Sequence, residues 1–227
     1  GWWLLLWLPA AGLAMGLSVL LAAWVWAGSA SSLGRTLGWA QTWLEDQPPQ
    51  VGRLEVQDAD GSLRRGGRIG LLRWEQDGLH VSAHGVRLAW TDEQVLGLPT
   101  RRRLDIDGLH IERLEIRDDR PATDGGPPAS LELPLLLSLP WSVDLLVLQG
   151  EEELRLEALR GLYTHDAALD DLGVPQAHRL RLDNLRWAAG EYQGELLLGA
   201  QAPMPLRLNA TGRVQVDVPD GLPQELD

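Results

Sequence analysis

The chain has 227 residues, and its 20 basic and 32 acidic residues give it a net charge of −12. The absence of cysteine excludes disulfides and thiolate metal sites. The acidic balance argues against a nucleic-acid partner, because proteins that bind nucleic acids usually carry a basic surface.

The first 34 residues carry no charge. The stretch WWLLLWLPAAGLAMGLSVLLAAWVW, from Trp2 to Trp26, would be about 37 Å long as a helix, which is enough to cross a bilayer. Trp2 and Trp3 at one end and Trp24 and Trp26 at the other suit the two membrane interfaces. A cleaved signal peptide is the alternative, but its apolar region would be only about 7–15 residues long. We therefore predict a transmembrane anchor over residues 1–30.

Residues 31–49 are predicted to form an amphipathic helix and a linker. Leu33, Leu37, Ala40 and Leu44 recur at helical spacing, Ser31 or Ser32 can cap the helix, and the proline pair 48–49 ends it. Trp39 and Trp43 lie four residues apart. Two interpretations stay open for them: a helix resting on the membrane surface, or an ordinary helix that plugs the end of a core.

From Val51 onward, apolar residues alternate with polar ones, which is typical of strands. The clearest case is LDIDGLHIERLEIRD over residues 104–118, where the apolar parity switches twice. These switches predict two bulges or bends, one of them at Asp107–Gly108. Turns are predicted at 58–62, 76–78 and 188–192. Residues 121–130 form a predicted polar loop, and residues 164–175 a short helix or capping loop.

The stretch LELPLLLSLPWSVDL, residues 131–145, predicts one long strand whose odd positions are all apolar. A strand of roughly 50 Å is too long for a compact two-layer core, although a closed sandwich remains the alternative. We therefore predict that residues 50–227 are all-β, with an antiparallel sheet curled into an elongated open groove. The predicted lining is Leu131, Leu133, Leu135, Leu137, Leu139, Trp141, Val143 and Leu145, with Leu104, Ile106, Leu114 and Ile116 from a neighbouring strand.

The sequence offers little support for catalysis. His80 and His84 would lie about 13 Å apart on a strand, too far for one metal ion. Asp105 and Asp107 alternate with apolar residues and belong to a solvated face. We find no nucleophile elbow and no phosphate-binding loop, so neither enzymatic activity nor a cofactor is expected.

The order of these segments resembles the TamB family of the translocation and assembly module. The resemblance rests on VGRLEVQDADGSLRRGGRIGLLRWEQDGLHVSAHGVRLAW (51–90), on LDIDGLHIERLEIRD, and on LELPLLLSLPWSVDLLVLQG (131–150). LRLDNLRW (180–187) and APMPLRLNATGRV (202–214) fit the later hairpins. Each piece is a degenerate alternation, so the specificity lies in their order along nearly the whole chain.

The resemblance implies the N-terminal part of a bridge-like lipid-transfer protein. Its expected site is the Gram-negative inner membrane, crossed once, with most of the chain in the periplasm. The implied function is a conduit that carries phospholipid acyl chains toward the outer membrane. The alternative is a scaffold for outer-membrane barrel assembly with a TamA-like barrel partner, which would bind through regions outside this chain.

Overall fold

A computed structural model describes residues 18, 21–48, 51–120, 130–169 and 174–214. Most of these residues are in strands, which confirms the predicted β-rich class. Residues 21–27 are helical. The other elements are α1 (Ser32–Glu45), β1 (Arg53–Ser62), β2 (Gly66–Gln76), β3 (Leu79–Ala89), α2 (Asp92–Arg101), β4 (Arg103–Asp105), β5 (Gly108–Asp118), β6 (Leu136–Gln149), β7 (Leu154–Leu169), β8 (Val174–Trp187), β9 (Gly190–Gly199) and β10 (Leu206–Val214).

The described strands form one open sheet in the order β1-β2-β3-β5-β6-β7-β8-β9-β10, with β4 beside the start of β6. A closed sandwich of two sheets is therefore not the architecture of this region. The sheet is also uncurled, so the curled groove predicted from the sequence is not part of the observed fold.

The purely antiparallel pairing predicted from the sequence is wrong at one place. β4 and β5 both pair with β6 in parallel. The physical reason is the long connection between Asp118 and Leu136, since a parallel pair needs a crossover of a dozen or more residues. The predicted polar loop falls in this connection, and residues 121–129 lie outside the described residues.

The pairing between neighbouring strands skips one position on each of six strands, and these positions line up across the sheet. We call this line the seam; its members are Asp58, Gly70, Gly85, Glu112, Asp144 and Ala158. Asp58, Gly85 and Ala158 have left-handed φ angles of 54°, 62° and 53°. Apolar parity changes at the seam, as in Leu109 and Ile111 before it and Leu114 and Ile116 after it. This confirms the second parity switch, and the gap between β4 and β5 confirms the break at Asp107–Gly108.

Residues on both sides of the seam pack in one core. Ile69, Ala83 and Val86 are buried, and Leu88 and Leu114, which lie on opposite sides of the seam, both contact this group. The seam therefore keeps the apolar side chains of each strand on the same face of the sheet.

Helix α1 covers this core and also caps the edge of β1. Its Leu33 is buried and its Leu37 packs against the core. Gln41 Oε1 accepts a hydrogen bond from the Val56 amide at 3.2 Å, and Ser32 Oγ accepts one from the Leu63 amide at 3.1 Å. The helix predicted after Ser31 is thus present, but the Ser31 side chain makes no capping hydrogen bond.

Three local predictions were wrong. The strand predicted over 131–145 begins only at Leu136 and runs on to Gln149. The turn predicted at 58–62 lies inside β1, because the left-handed Asp58 is a seam position and the chain reverses only after Ser62. Residues 164–169 continue β7 and β8 begins at Val174, so no helix forms there among the described residues. The turns predicted at 76–78 and 188–192 are confirmed by the β2–β3 and β8–β9 connections.

Most of the predicted anchor, including Trp2 and Trp3, lies outside the described residues. Among the helices that are described, none combines the length and the apolar character that a membrane span requires.

Candidate functional site: the apolar face of the sheet

The strand registers place apolar side chains side by side over almost the whole sheet. Because residues paired across neighbouring strands share a face, each row of pairs defines one line of side chains. One row is Leu54, Trp74, Val81, Ile116, Leu148 and Leu154, which crosses six strands. A second row is Leu139, Tyr163, Leu180, Leu196 and Leu208, which crosses five. We call this surface the apolar face.

The cover over the apolar face changes from one edge of the sheet to the other. Beneath α1, Ile69 is 2% exposed and Val86 is 5% exposed. At the other edge, Leu206 and Leu208 are 62% and 64% exposed, and all nine residues of β10 are exposed. Within the described part of the chain, the apolar face is therefore buried at β1–β3 and at Val143 and Leu159 in β6 and β7, partly covered at β8 and β9, and bare at β10.

The predicted lining residues divide into four groups, of which the last, Leu131, Leu133 and Leu135, precedes β6. Leu137, Leu139, Trp141 and Val143 lie in β6 on the apolar face, and Leu114 and Ile116 lie beside its later residues, Leu146 and Leu148. Leu145 pairs with Arg113 and Glu157 and lies on the opposite face, because the seam at Asp144 changes the parity. Leu146 and Leu148 were not predicted, although the apolar residues at even positions after Asp144 indicate that they share this face.

Leu104 pairs with Leu137. Ile106 follows β4, and its amide donates to the Ser138 carbonyl at 2.8 Å.

Leu131, Leu133 and Leu135 lie in a segment that we call the strap, residues Ser130–Leu135. The strap leaves β6 and crosses toward the end of β9, where the Leu131 amide donates to the Ala200 carbonyl at 2.7 Å. Leu133 and Leu135 are half-buried. The strap therefore covers one end of the apolar face over β7 and β8.

Two histidines of the apolar face hold the strap. His165 Nδ1 lies 2.9 Å from the Leu135 carbonyl oxygen, and His178 Nε2 lies 2.9 Å from the Leu131 carbonyl oxygen. Tyr163 Oη lies 2.7 Å from His178 Nδ1, so the neutral imidazole of His178 accepts from Tyr163 and donates to the strap. Burial lowers the pKa of His178, the Leu131 carbonyl opposes that effect, and nearby His165 adds to it. No local pattern predicts this pair, because the two histidines come from different strands.

Four of the predicted interfacial tryptophans are among the described residues, and they lie on or near α1. Trp39 and Trp43 are 64% and 60% exposed, and Trp26 stacks on Trp39 with ring centroids 5.5 Å apart. Trp24 lies under the Arg64 guanidinium, 4.2 Å from it. Leu33 and Leu37 bind the core while Trp39 and Trp43 face outward. The helix therefore does plug a core, and its outer face is aromatic.

The opposite face of the sheet is rich in ion pairs, such as Arg73 with Glu55 at 3.2 Å. It also brings together Ser142, His110 and Asp144. His110 Nδ1 lies 2.9 Å from Ser142 Oγ, and its Nε2 lies 3.5 Å from the Asp144 carboxylate. Asp144 is 63% exposed, so solvent screens its charge and it lacks the sheltered setting of a catalytic acid. We assign no catalytic role to this group.

No family profile, curated protein or solved structure matches this chain.

Proposed function

We propose that this protein is a membrane-anchored conduit for phospholipid, in which acyl chains lie against the apolar face. The observation that carries the proposal is the register of that face, whose rows of apolar side chains overlap at β6 and β7 and together cross the nine strands of the main sheet path. Eight strand spacings amount to about 38 Å, comparable to the roughly 30 Å hydrocarbon core of a bilayer. Such a path lowers the free-energy cost of moving an acyl chain through water.

The conduit needs a part of the apolar face that is free to receive cargo. The bare surface around Leu180, Trp187 and Leu208 supplies it, whereas the part under α1 is occupied by the protein's own core. The resemblance to the TamB family supports the same function and adds the inner membrane as the expected site. The proposal includes a loaded state in which the sheet curls around an acyl chain, with the seam as the line along which the strands bend.

The polar headgroup is expected to stay at the margin of the apolar face. An isolated phosphate over leucine side chains would lose its hydration without gaining a partner. Transport in this scheme uses no covalent step, and no catalytic residue is required.

Photo-crosslinking in membranes tests the proposal with two neighbouring positions of β8. A photoreactive side chain at Leu180 lies on the apolar face, and one at Arg181 lies on the opposite face, paired with Glu195. We expect phospholipid adducts at Leu180 and few at Arg181. Leu182→Asp should suppress the adduct at Leu180, whereas Gln193→Asp, which adds the same charge to the opposite face, should not. Equal yields at both positions would contradict the conduit.

A second candidate function is supported by the free edge of β10. All nine residues of β10 are exposed, and within the described sheet no strand lies beyond it. A scaffold for barrel assembly would add an extended client strand to such an edge. Protein adducts in place of lipid adducts in the same experiment would favour this function.

A further inference from the structure

One end of the sheet differs from the other in its charge. The turn after β1, helix α2 and the start of β5 lie at one end, which we call the arginine end. It carries a set of arginines, namely Arg64, Arg65, Arg101, Arg102 and Arg103. The opposite end carries the exposed acidic run Glu151–Glu153 and the turn containing Asp77. Two of these arginines are paired with acidic residues, Arg64 with Asp92 and Arg103 with Asp105, and the opposite end carries arginines as well, such as Arg155 and Arg186.

Arg64 holds three elements together at this end. Its guanidinium lies over the ring of Trp24, at 4.2 Å, and so contacts the helical segment 21–27. Its Nε donates to Asp92 Oδ1 at 3.1 Å, and its Nη2 bonds the other carboxylate oxygen of Asp92. Because Asp92 opens α2, the N-terminal helical segment, the β1–β2 turn and α2 form one unit.

Helix α2 is fixed firmly enough to present its outer side chains. Thr91 and Gln94 form a capping box at its start, which satisfies two backbone amides. Trp90 Nε1 donates to the Leu63 carbonyl at 2.9 Å and ties the entry of α2 to the β1–β2 turn.

The outer surface of this unit combines apolar side chains with exposed guanidinium groups. Leu21, Val25 and Leu96 are 65%, 64% and 60% exposed. Arg65 is 77% exposed, and its nearest carboxylate oxygen is 3.9 Å away. Arg101 and Arg102 are exposed, and no ion pair within the described residues involves either of them.

We infer that the arginine end docks on the surface of a bilayer that contains anionic phospholipid. Leu21, Val25 and Leu96 enter the interfacial region, while the guanidinium groups of Arg65, Arg101 and Arg102 bind lipid phosphates. Guanidinium suits this role because its planar fork donates two hydrogen bonds to one phosphate. The acidic opposite end is repelled by the same surface. The inference rests on the proposed function and deepens it, because it fixes which end of the strands faces the membrane.

The chain contains no cysteine, so one introduced cysteine gives a single labelling site. The full chain carrying Leu96→Cys, labelled with an environment-sensitive fluorophore, is reconstituted in two kinds of vesicle. One kind is phosphatidylcholine alone, and the other is equal parts phosphatidylcholine and phosphatidylglycerol. Spin-labelled lipid in each vesicle quenches any fluorophore that reaches the bilayer. We expect a blue shift and stronger quenching in the anionic vesicles, and their loss at high salt.

Two matched triple variants separate the role of the arginine end from that of net charge. R65Q/R101Q/R102Q should abolish the difference between the two vesicles. R155Q/R186Q/R213Q removes the same charge from the opposite end and should preserve that difference. A fluorophore attached at Arg155→Cys should remain in water in both kinds of vesicle.

Two outcomes would overturn the docking inference. In the first, the fluorophore on Leu96→Cys remains in water in both kinds of vesicle. In the second, quenching is equal in both kinds of vesicle and is unchanged in the R65Q/R101Q/R102Q variant. Neither outcome bears on the crosslinks at Leu180. If those crosslinks fail while the anionic-lipid dependence at Leu96 holds, the conduit is wrong and the docking surface stands.

Discussion

The two edges of the sheet carry the same alternating pattern but reach opposite outcomes. At β1–β3 the apolar face is a core, since α1 lies over it and Ile69 and Val86 are buried. At β10 the same face is bare, and Leu206 and Leu208 are mostly exposed. Alternation therefore determines which side chains share a face, and a separate covering element determines whether that face is a core or a surface.

The two edge strands of the sheet, β1 and β10, also differ in whether their backbone is covered. Gln41 of α1 accepts a hydrogen bond from the Val56 amide, and the Ala30 carbonyl just before α1 accepts one from the Gly61 amide at 2.7 Å, so the edge of β1 is blocked at these two amides. β10 has no such cover among the described residues. An open, apolar strand edge is a liability in water unless something binds there. The contrast locates any exchange with cargo or a partner strand in the second half of the sheet.

The largest expected effect is a loss of stability when the core under α1 is disturbed. Ile69→Ala should lower the free energy of unfolding by about 2–5 kcal/mol, because it leaves a cavity under α1. Leu208→Ala removes a side chain of similar size from the bare surface and should change stability by less than about 0.5 kcal/mol. Urea denaturation followed by circular dichroism measures both. Equal losses for the two variants would mean that β10 is covered in solution.

The next effect concerns the contact between α1 and β1. A Cβ atom at Gly34 would lie 2.5 Å from the Ala59 carbonyl oxygen, so Gly34→Ala must push the helix off the strand. We expect a loss of about 1–3 kcal/mol in unfolding free energy, as for other overpacked sites. Gly38, one helical turn on, has no atom within 4 Å of its Cβ position. Gly38→Ala should therefore stabilise the protein by up to about 1 kcal/mol through helix propensity alone. A destabilised Gly38→Ala would contradict this account of α1.

The sequence was sufficient to predict the β-rich class, the helix after Ser31 and the shared face of Leu137, Leu139, Trp141 and Val143 in β6. Period-two alternation carries that information locally, and the second parity switch between Ile111 and Leu114 marked the seam. α2 was missed because it is short, although Thr91 and Gln94 are spaced as a capping box and Arg101 suits its last turn.

The remaining features depend on contacts between distant residues. The parallel pairing of β5 with β6 cannot be inferred from either strand alone, since both strands alternate like their antiparallel neighbours. Asp58 was read as a turn residue because aspartate and glycine favour left-handed φ in turns, and in the fold the same property serves a seam position. Leu145 was assigned to the wrong face for the same reason, because nothing local distinguishes Asp144 from an ordinary strand residue.

A smaller effect is expected at the blocked edge itself. Gln41→Ala leaves the Val56 amide without its side-chain acceptor and should cost about 0.5–1.5 kcal/mol. Hydrogen exchange at Val56 should accelerate, while amides in β5 should not change. Gln47→Ala is the control, since the Gln47 side chain bonds only the Trp43 carbonyl of the same helix. Faster exchange at Val56 in the control would show that the whole helix end frays and that the edge is not capped specifically.

The smallest effect is expected at the strap, which covers part of the otherwise bare half. Burial, opposed by the Leu131 carbonyl and aided by His165, holds the pKa of His178 below its ordinary value of 6.5. The unfolded chain therefore binds a proton at His178 at a higher pH than the folded chain does. Stability should fall as the pH drops through 6.5 and level off below the folded pKa.

His178→Gln tests this by comparing urea midpoints near pH 7.5 and pH 5.5. Glutamine can still donate to the Leu131 carbonyl but does not titrate, so the variant should lose part of the pH dependence of the wild type. The protection factor of the Leu131 amide, which corrects for the pH dependence of intrinsic exchange, reports the strap directly and should fall at the lower pH only in the wild type. If wild type and variant respond identically, the strap is held by its bond to Ala200 and by His165. The cover over β7 and β8 would then be as permanent as the cover that α1 gives to β1.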